Sequence, residues 1–366
     1  MKQLDLANEK IGKLLRGFSV PCVISMLVAA LYNIVDQIYI GHISGVDAAS
    51  GQGINILCNG ATNVVYPFTL IALALCLLVG DGSAALFSLC RGKRDYETAE
   101  KSIGNGFMMQ IILLVLLTVF GIVFRDGILT LFGATPAGRK YAEIYFDVII
   151  LGFPAYMFSQ GMNSAIRADG SPKYAMIAAS SGAVLNIILD PIFIFTFGMG
   201  IKGAAIATVI GQYVTLALTV IYLFRSKNFR LSRHSVKPDL RLFGKIAALG
   251  ISSLITQLSI VIIITVCNNL IGKINDPVYG TDIPLAVIGH GEGNLARQLG
   301  VVGHASDLTG LGHGVGKGVL ALLGLLAHSL VKVVERKGNL AKVDLAVDVV
   351  VHARARRHRR ALFTGH

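Results

Sequence analysis

Seven stretches of this sequence, residues 18–43, 54–80, 103–124, 141–166, 174–197, 203–224 and 246–271, run for more than twenty residues with hardly a charge, and an eighth begins near Ile283. About 20 apolar residues rising about 1.5 Å each cross the hydrocarbon core of a bilayer, where every backbone polar group must find its partner inside the segment. The expected fold class is therefore all-α, a polytopic membrane helix bundle. Only 15% of the residues are charged, against roughly 25% in a typical soluble domain, which excludes a water-soluble globule. A net charge of +12 would direct a soluble chain toward nucleic acid. Here the Lys and Arg fall mostly between the apolar stretches, so the expected partner is the lipid bilayer, with no nucleic acid.

Loop charge sets the expected topology. The segments before the first span and after the second, fourth and sixth carry four, four, two and seven Lys or Arg; the opposite side carries Arg125, Arg139, Lys140, Lys202 and Lys273. Basic loops stay on the cytoplasmic side, which predicts a multi-pass protein of the inner (plasma) membrane with its N-terminus in the cytoplasm. Residues 1–17 mix charges with Leu and Ile and lack the short apolar core and small-residue cleavage site of a signal peptide, so they read as an amphipathic segment on the cytoplasmic surface. Residues 18–224 form a first lobe of six helices, and residues 225–245, basic and containing Pro238, separate it from residues 246–289. Leu14 to Ile43 resembles Lys245 to Ile274 at an offset of 231 residues, the mark of a parallel repeat and of a second lobe beginning.

That second lobe does not continue in the same vocabulary. Residues 1–289 contain 38 Ile and residues 290–366 none, although about ten are expected from composition. The last 77 residues also hold seven of the nine His and end in a basic run around Arg354 to Arg360. Three explanations stand: a joined or shifted reading frame that leaves the second lobe truncated after about residue 289, an appended domain, or an atypical transmembrane half. The glycine run Gly310 to Gly318 lacks the spacing of a phosphate loop, and His290, His304 and His313 lack that of a metal site. Five cysteines without CxxC spacing read as packing residues. With no catalytic constellation in view, enzyme activity is not expected, nor is any cofactor beyond a coupling ion.

An ionised side chain near the centre of a membrane helix costs about 2.5–3.5 kcal/mol on insertion scales, so each needs a reason. Two acids are expected to lie deep, Asp36 in the first span and Asp190 in the fifth; Glu143 and Asp147 are expected to reach outer-side water. Counted from the inner end of each span, Asp36 and Asp190 lie about 27 and 24 Å along their helices, one shared level. Asn186 precedes Asp190 by one turn on the same face, and Pro191 is expected to bend the helix and free the carbonyl of Ile187. Thr208, about 10 Å into a span entering from outside, fits the same layer, with Gln212 on its face. Two carboxylates, an amide and a hydroxyl in an apolar surround can hold one Na+ or hold protons.

At these residues the chain resembles the multidrug and toxic compound extrusion (MATE) family. The resemblance rests on Tyr32-Asn33-Ile34-Val35-Asp36 with Ile40-Gly41, on Gly80-Asp81-Gly82-Ser83-Ala84-Ala85 leading to Arg91-Gly92-Lys93-Arg94-Asp95, on Arg167-Ala168-Asp169-Gly170, and on Leu185-Asn186-Ile187-Ile188-Leu189-Asp190-Pro191 followed by Gly203-Ala204-Ala205 and Thr208. It covers residues 1 to about 289. The resemblance implies two six-helix lobes rocking about a cleft and exporting small organic cations, amphipathic drugs or toxins, in exchange for Na+ or H+. It implies a cation site at Asp36, Asn186, Asp190 and Thr208, with Asn163 as a further member. Two alternatives remain open: a lipid-linked oligosaccharide flippase of similar plan, which would favour Arg or Lys within spans that here have none, and a non-transporting helix bundle. Oligomeric state is left open.

Overall fold

In the computed structural model, residues 11–226 and 235–271 are described; the first ten residues, the span expected near Ile283 and the tail 290–366 lie outside them. The described residues form α1 (Ile11–Gly41), α2 (Ile54–Gly92), α3 (Tyr96–Val123), the short α4 (Arg125–Leu131), α5 (Arg139–Ala168), α6 (Pro172–Pro191), α7 (Ile201–Arg225) and α8 (Leu240–Ile271), with a π-helical turn at Ile192–Thr196. All but α4 are long and apolar enough to cross a membrane. The structure is all-helical with no strand among the described residues, as the apolar runs predict.

The helices outrun the apolar stretches where charged residues find partners. α1 starts at Ile11, so residues 11–17 are continuous with the first span. α2 continues past Gly80 to Gly92, about 58 Å of helix, because Asp81 is hydrogen-bonded from inside the bundle. α3 begins at Tyr96, where the Asp95 carboxylate caps it by accepting from the Thr98 backbone N–H at 3.1 Å. Those bonds hold the Asp95 carboxyl below the usual carboxylate range. α8 begins at Leu240, five residues before the expected end of the inter-lobe loop.

α2 is the central post, packed most extensively on α8 and α5. Phe68 of α2 meets Phe146 and Phe153 of α5 with ring centroids 5.4 and 5.3 Å apart. Further along, small residues let backbones touch: a Cβ on Gly80 would stand 2.5 Å from the Gly161 carbonyl oxygen of α5, and one on Gly250 of α8 1.9 Å from that of Leu78. Such approach is how helices associate in lipid, where burial of apolar surface drives little. The large apolar side chains Leu27, Leu31, Leu116, Val119 and Ile188 face outward. They would be costly in water and are at home against acyl chains.

Candidate functional site

The site is built at the seam of α6 and α7. Gly182 and Gly211 face each other there: a Cβ on Gly182 would come within 2.2 Å of Thr215 Oγ1 and 2.5 Å of the Gly211 carbonyl oxygen. With nothing larger between them, the helices close until side chains one turn away bond across the seam. Asn186 Nδ2 donates to Asp190 Oδ1 at 3.1 Å and to Thr208 Oγ1 at 3.2 Å. Beyond Asp190 the chain does not simply bend at Pro191. It widens into the π-helical turn, whose Phe193 backbone lies so near Gly203 that a Cβ there would be 2.8 Å from the Phe193 carbonyl. Gly198 and Gly200, at φ 64° and 55°, then reverse the chain into α7. Pro191 removes one backbone donor, and the wider turn absorbs that loss where a kink was expected.

α1 completes the site. It packs chiefly on α6, and Tyr39 meets Phe195 of the π-helical turn edge to face with centroids 6.2 Å apart. Asp36, one turn earlier, faces Asp190, and the two carboxyl groups are in hydrogen-bonding contact. Both lie out of reach of bulk water, Asp36 being 7% and Asp190 0% exposed. Asp190 Oδ2 and Asn186 Oδ1 are buried with no amide or hydroxyl donating to them. Two carboxylates in contact in an apolar surround do not both stay charged without a cation between them; a shared proton or a bound monovalent ion satisfies the pair. Carboxyl, amide and hydroxyl oxygens of Asp36, Asp190, Asn186 and Thr208 are gathered there, the donor type of a hard cation. Among the described residues no group of three or more His, Cys, Asp or Glu offers a different metal site.

Asp36, Asn186, Asp190 and Thr208 thus come together, although 172 residues separate the first from the last. Asn163 stands apart. Its Nδ2 donates to the Ala175 carbonyl at 3.4 Å and its Oδ1 accepts from Arg167 at 3.1 Å; Ala175 lies fifteen residues before Asp190, about 22 Å down the same helix. Gln212 also turns elsewhere, toward Gly152 of α5.

One acid escaped the sequence reading. Asp81, one residue beyond the apolar stretch 54–80, sits inside α2, where Ser164 of α5 donates to Oδ1 at 2.6 Å and Ser253 of α8 to Oδ2 at 2.8 Å. Its signal was the pair of flanking glycines, which mark close helix approach as readily as a turn. The acids at the opposite end behave as expected of water-facing groups: Asp147 pairs with Arg125 at 2.9 Å and Glu143 with Arg139 at 2.9 Å, all partly exposed.

The MatE family model matches residues 21–192, from α1 through Pro191. The multidrug export protein MepA of Staphylococcus saprophyticus is 27% identical over 248 residues, which are 66% of this chain and 52% of the relative. MepA of Staphylococcus aureus is 26% identical over 256 residues, 69% of this chain and 54% of its own length. The chain therefore spans about half the length of the curated relatives it matches. Among solved structures, an outward-facing multidrug resistance MATE family transporter superposes with a TM-score of 0.65 at 24% identity, covering 98% of this chain and 75% of its own. A MATE protein in a straight conformation superposes with a TM-score of 0.63 at 25% identity, covering 88% and 74%. Family motifs, family model and fold thus agree across the lobe that holds the acid pair: residues 21–192 match the MatE family model, and the chain has the fold of the MATE transporters.

Proposed function

We propose that this lobe binds one monovalent cation, Na+ or H+, between Asp36 and Asp190, with Asn186 and Thr208 as neutral ligands, and that the binding drives export of small organic cations by antiport. The observation that carries the proposal is the contact of two buried carboxyl groups with only amide and hydroxyl donors around them. The similarity to multidrug export proteins supports the substrate class. Ion and drug favour different conformations, so each displaces the other and export follows from that competition. One-for-one exchange of Na+ or H+ for a monovalent organic cation moves no net charge, so the concentration gradient of the coupling ion is what drives export. The excess of basic residues on one side supports an inner-membrane protein with a cytoplasmic N-terminus.

Vesicles containing the protein, an imposed Na+ or proton gradient and a fluorescent lipophilic cation test this. Gradient-dependent movement of the dye that disappears in both Asp36→Asn and Asp190→Asn is the expected result; movement unchanged in both variants overturns it. Because the chain spans about half the length of its relatives, a second reading is a lobe that seats the ion without moving drug. Ion binding with no dye movement, in a preparation where a full-length relative is active, selects that reading.

A further inference from the structure

We propose that Asp81 is the latch that holds α8 against the first lobe at one end of their seam, and that its hydrogen bond to Ser253 must break when the two lobes part at that end. The proposal rests on the two-lobe exchange described above. α2 belongs to the first lobe and α8 begins the second, and they run antiparallel with polar fastenings at both ends. At one end Asn63 Nδ2 donates to Asn268 Oδ1 at 3.1 Å. Eighteen residues further along α2, about 27 Å, Asp81 Oδ2 accepts from Ser253 Oγ at 2.8 Å. Between them lies an apolar stretch of Leu70, Ile260, Val261 and Ile264.

The Asp81 end differs in how its surfaces meet. A Cβ on Gly82 would stand 2.1 Å from the Ile246 carbonyl oxygen, and one on Gly250 1.9 Å from that of Leu78. Backbone lies on backbone there, and Leu242 and Ile246 of α8 join Val79, Leu86, Phe87 and Cys90 of α2 in one apolar cluster around that contact. To that apolar contact, which gives no direction, is added a directional hydrogen bond to a charged acceptor, the stronger kind. The acceptor is itself held in place: Ser164 Oγ donates to Asp81 Oδ1, Arg167 donates to Ser164 Oγ at 2.8 Å and to Asn163 Oδ1 at 3.1 Å, and its guanidinium stands 3.8 Å from Asp81. Asn163, drawn into the cation network by family resemblance, works in this structure as part of the scaffold behind the latch. Asp81 bonds to Ser164 and Ser253, away from the acid pair, and is a positioning residue.

Spin labels at Lys93 and Arg241, exposed at this end of α2 and α8, and a second pair at Val46 and Val266 near the other end, test the latch in the full chain by pulsed dipolar spectroscopy. In Ser253→Ala, and in Asp81→Asn if it folds, the Lys93 to Arg241 distances gain a longer component. The ratio of open to closed molecules rises about tenfold, the order expected for one lost hydrogen bond to a charged acceptor. The Val46 to Val266 distances stay as in the parent, and Ser253→Thr, which keeps the hydroxyl, behaves like the parent. An unchanged Lys93 to Arg241 distribution in Ser253→Ala overturns the proposal, and so does equal broadening of both pairs, which would make Asp81 a general support of the fold. The distances are read with neither ion nor drug, so a failure of cation binding at Asp36 and Asp190 leaves this test standing.

Discussion

Replacing Gly182 by Ala probes the account far from any ionisable group. The added methyl would sit 2.2 Å from Thr215 Oγ1 and 2.5 Å from the Gly211 carbonyl oxygen, where ordinary contact begins at 3.4 Å. The hydroxyl can swing away; the backbone oxygen cannot, so α6 and α7 must separate by about 1 Å. Such overpacking costs about 1–3 kcal/mol. The Asn186 to Thr208 hydrogen bond, 3.2 Å in the parent, would stretch beyond bonding distance, and Thr208 would leave the ion's reach. Losing one neutral ligand worth about 1.4 kcal/mol weakens cation binding about tenfold. The assay is the thermal stability of detergent-solubilised protein titrated with Na+ and, separately, across pH. Gly182→Ala should melt lower and need about ten times more Na+, or a lower pH, for the same stabilisation. Gly244→Ala is the control, since a Cβ at Gly244 meets nothing within 4 Å, and helix propensity alone should leave it neutral or slightly stabilised. A Gly182→Ala protein with the parent's melting temperature and ion response would refute the claim that this seam positions the site.

Other consequences are simpler to read. Asn105→Ala removes the acceptor of the Asp239 backbone N–H, bonded at 2.8 Å, and the donor to the Ser235 carbonyl; limited proteolysis should then cut between residues 235 and 239 several-fold faster than in the parent. Asp147→Asn breaks a partly exposed pair with Arg125, and melting should fall by no more than about 1 kcal/mol equivalent. The Asp47 carboxyl is held below its ordinary value of 3.8 by hydrogen bonds from Ser50 first and Tyr141 second. A depressed folded value stabilises above the unfolded one and loses its effect as pH falls through the folded value. Protection of the amides of residues 45–53, taken against the intrinsic exchange rate at each pH, should therefore hold above about pH 4 and fall below it, with Asp47→Asn less protected throughout.

The spans were legible because lipid imposes one simple demand, an unbroken apolar helix, and the sequence meets it seven times. Asp36 and Asp190 were legible for the complementary reason: a carboxylate inside such a helix is costly enough to require a partner, and equal rises from the membrane surface put both at one level. Asn186 followed from helical spacing and Thr208 from depth. What the sequence hid is contact geometry. Nothing in Gly80-Asp81-Gly82 distinguishes a turn from two helices touching backbone to backbone, and only the position of Ser164 and Ser253, far away in the chain, decides it. The π-helical turn after Pro191 was equally hidden, because it depends on the fit of Phe193 against Gly203. Gln212 shares a helix face with Thr208 yet serves the α5 seam, since a face about 100° wide meets two neighbours.

Binding stoichiometry of the purified chain tests the acid pair most directly, using radioactive Na+ at alkaline pH and proton uptake in its absence, for the parent, Asp36→Asn, Asp190→Asn and the double variant. A single shared seat predicts one cation per parent chain, none in either single variant, and no further loss in the double. Half-occupancy in each single variant, with loss only in the double, would mean two independent carboxylates and would contradict the account.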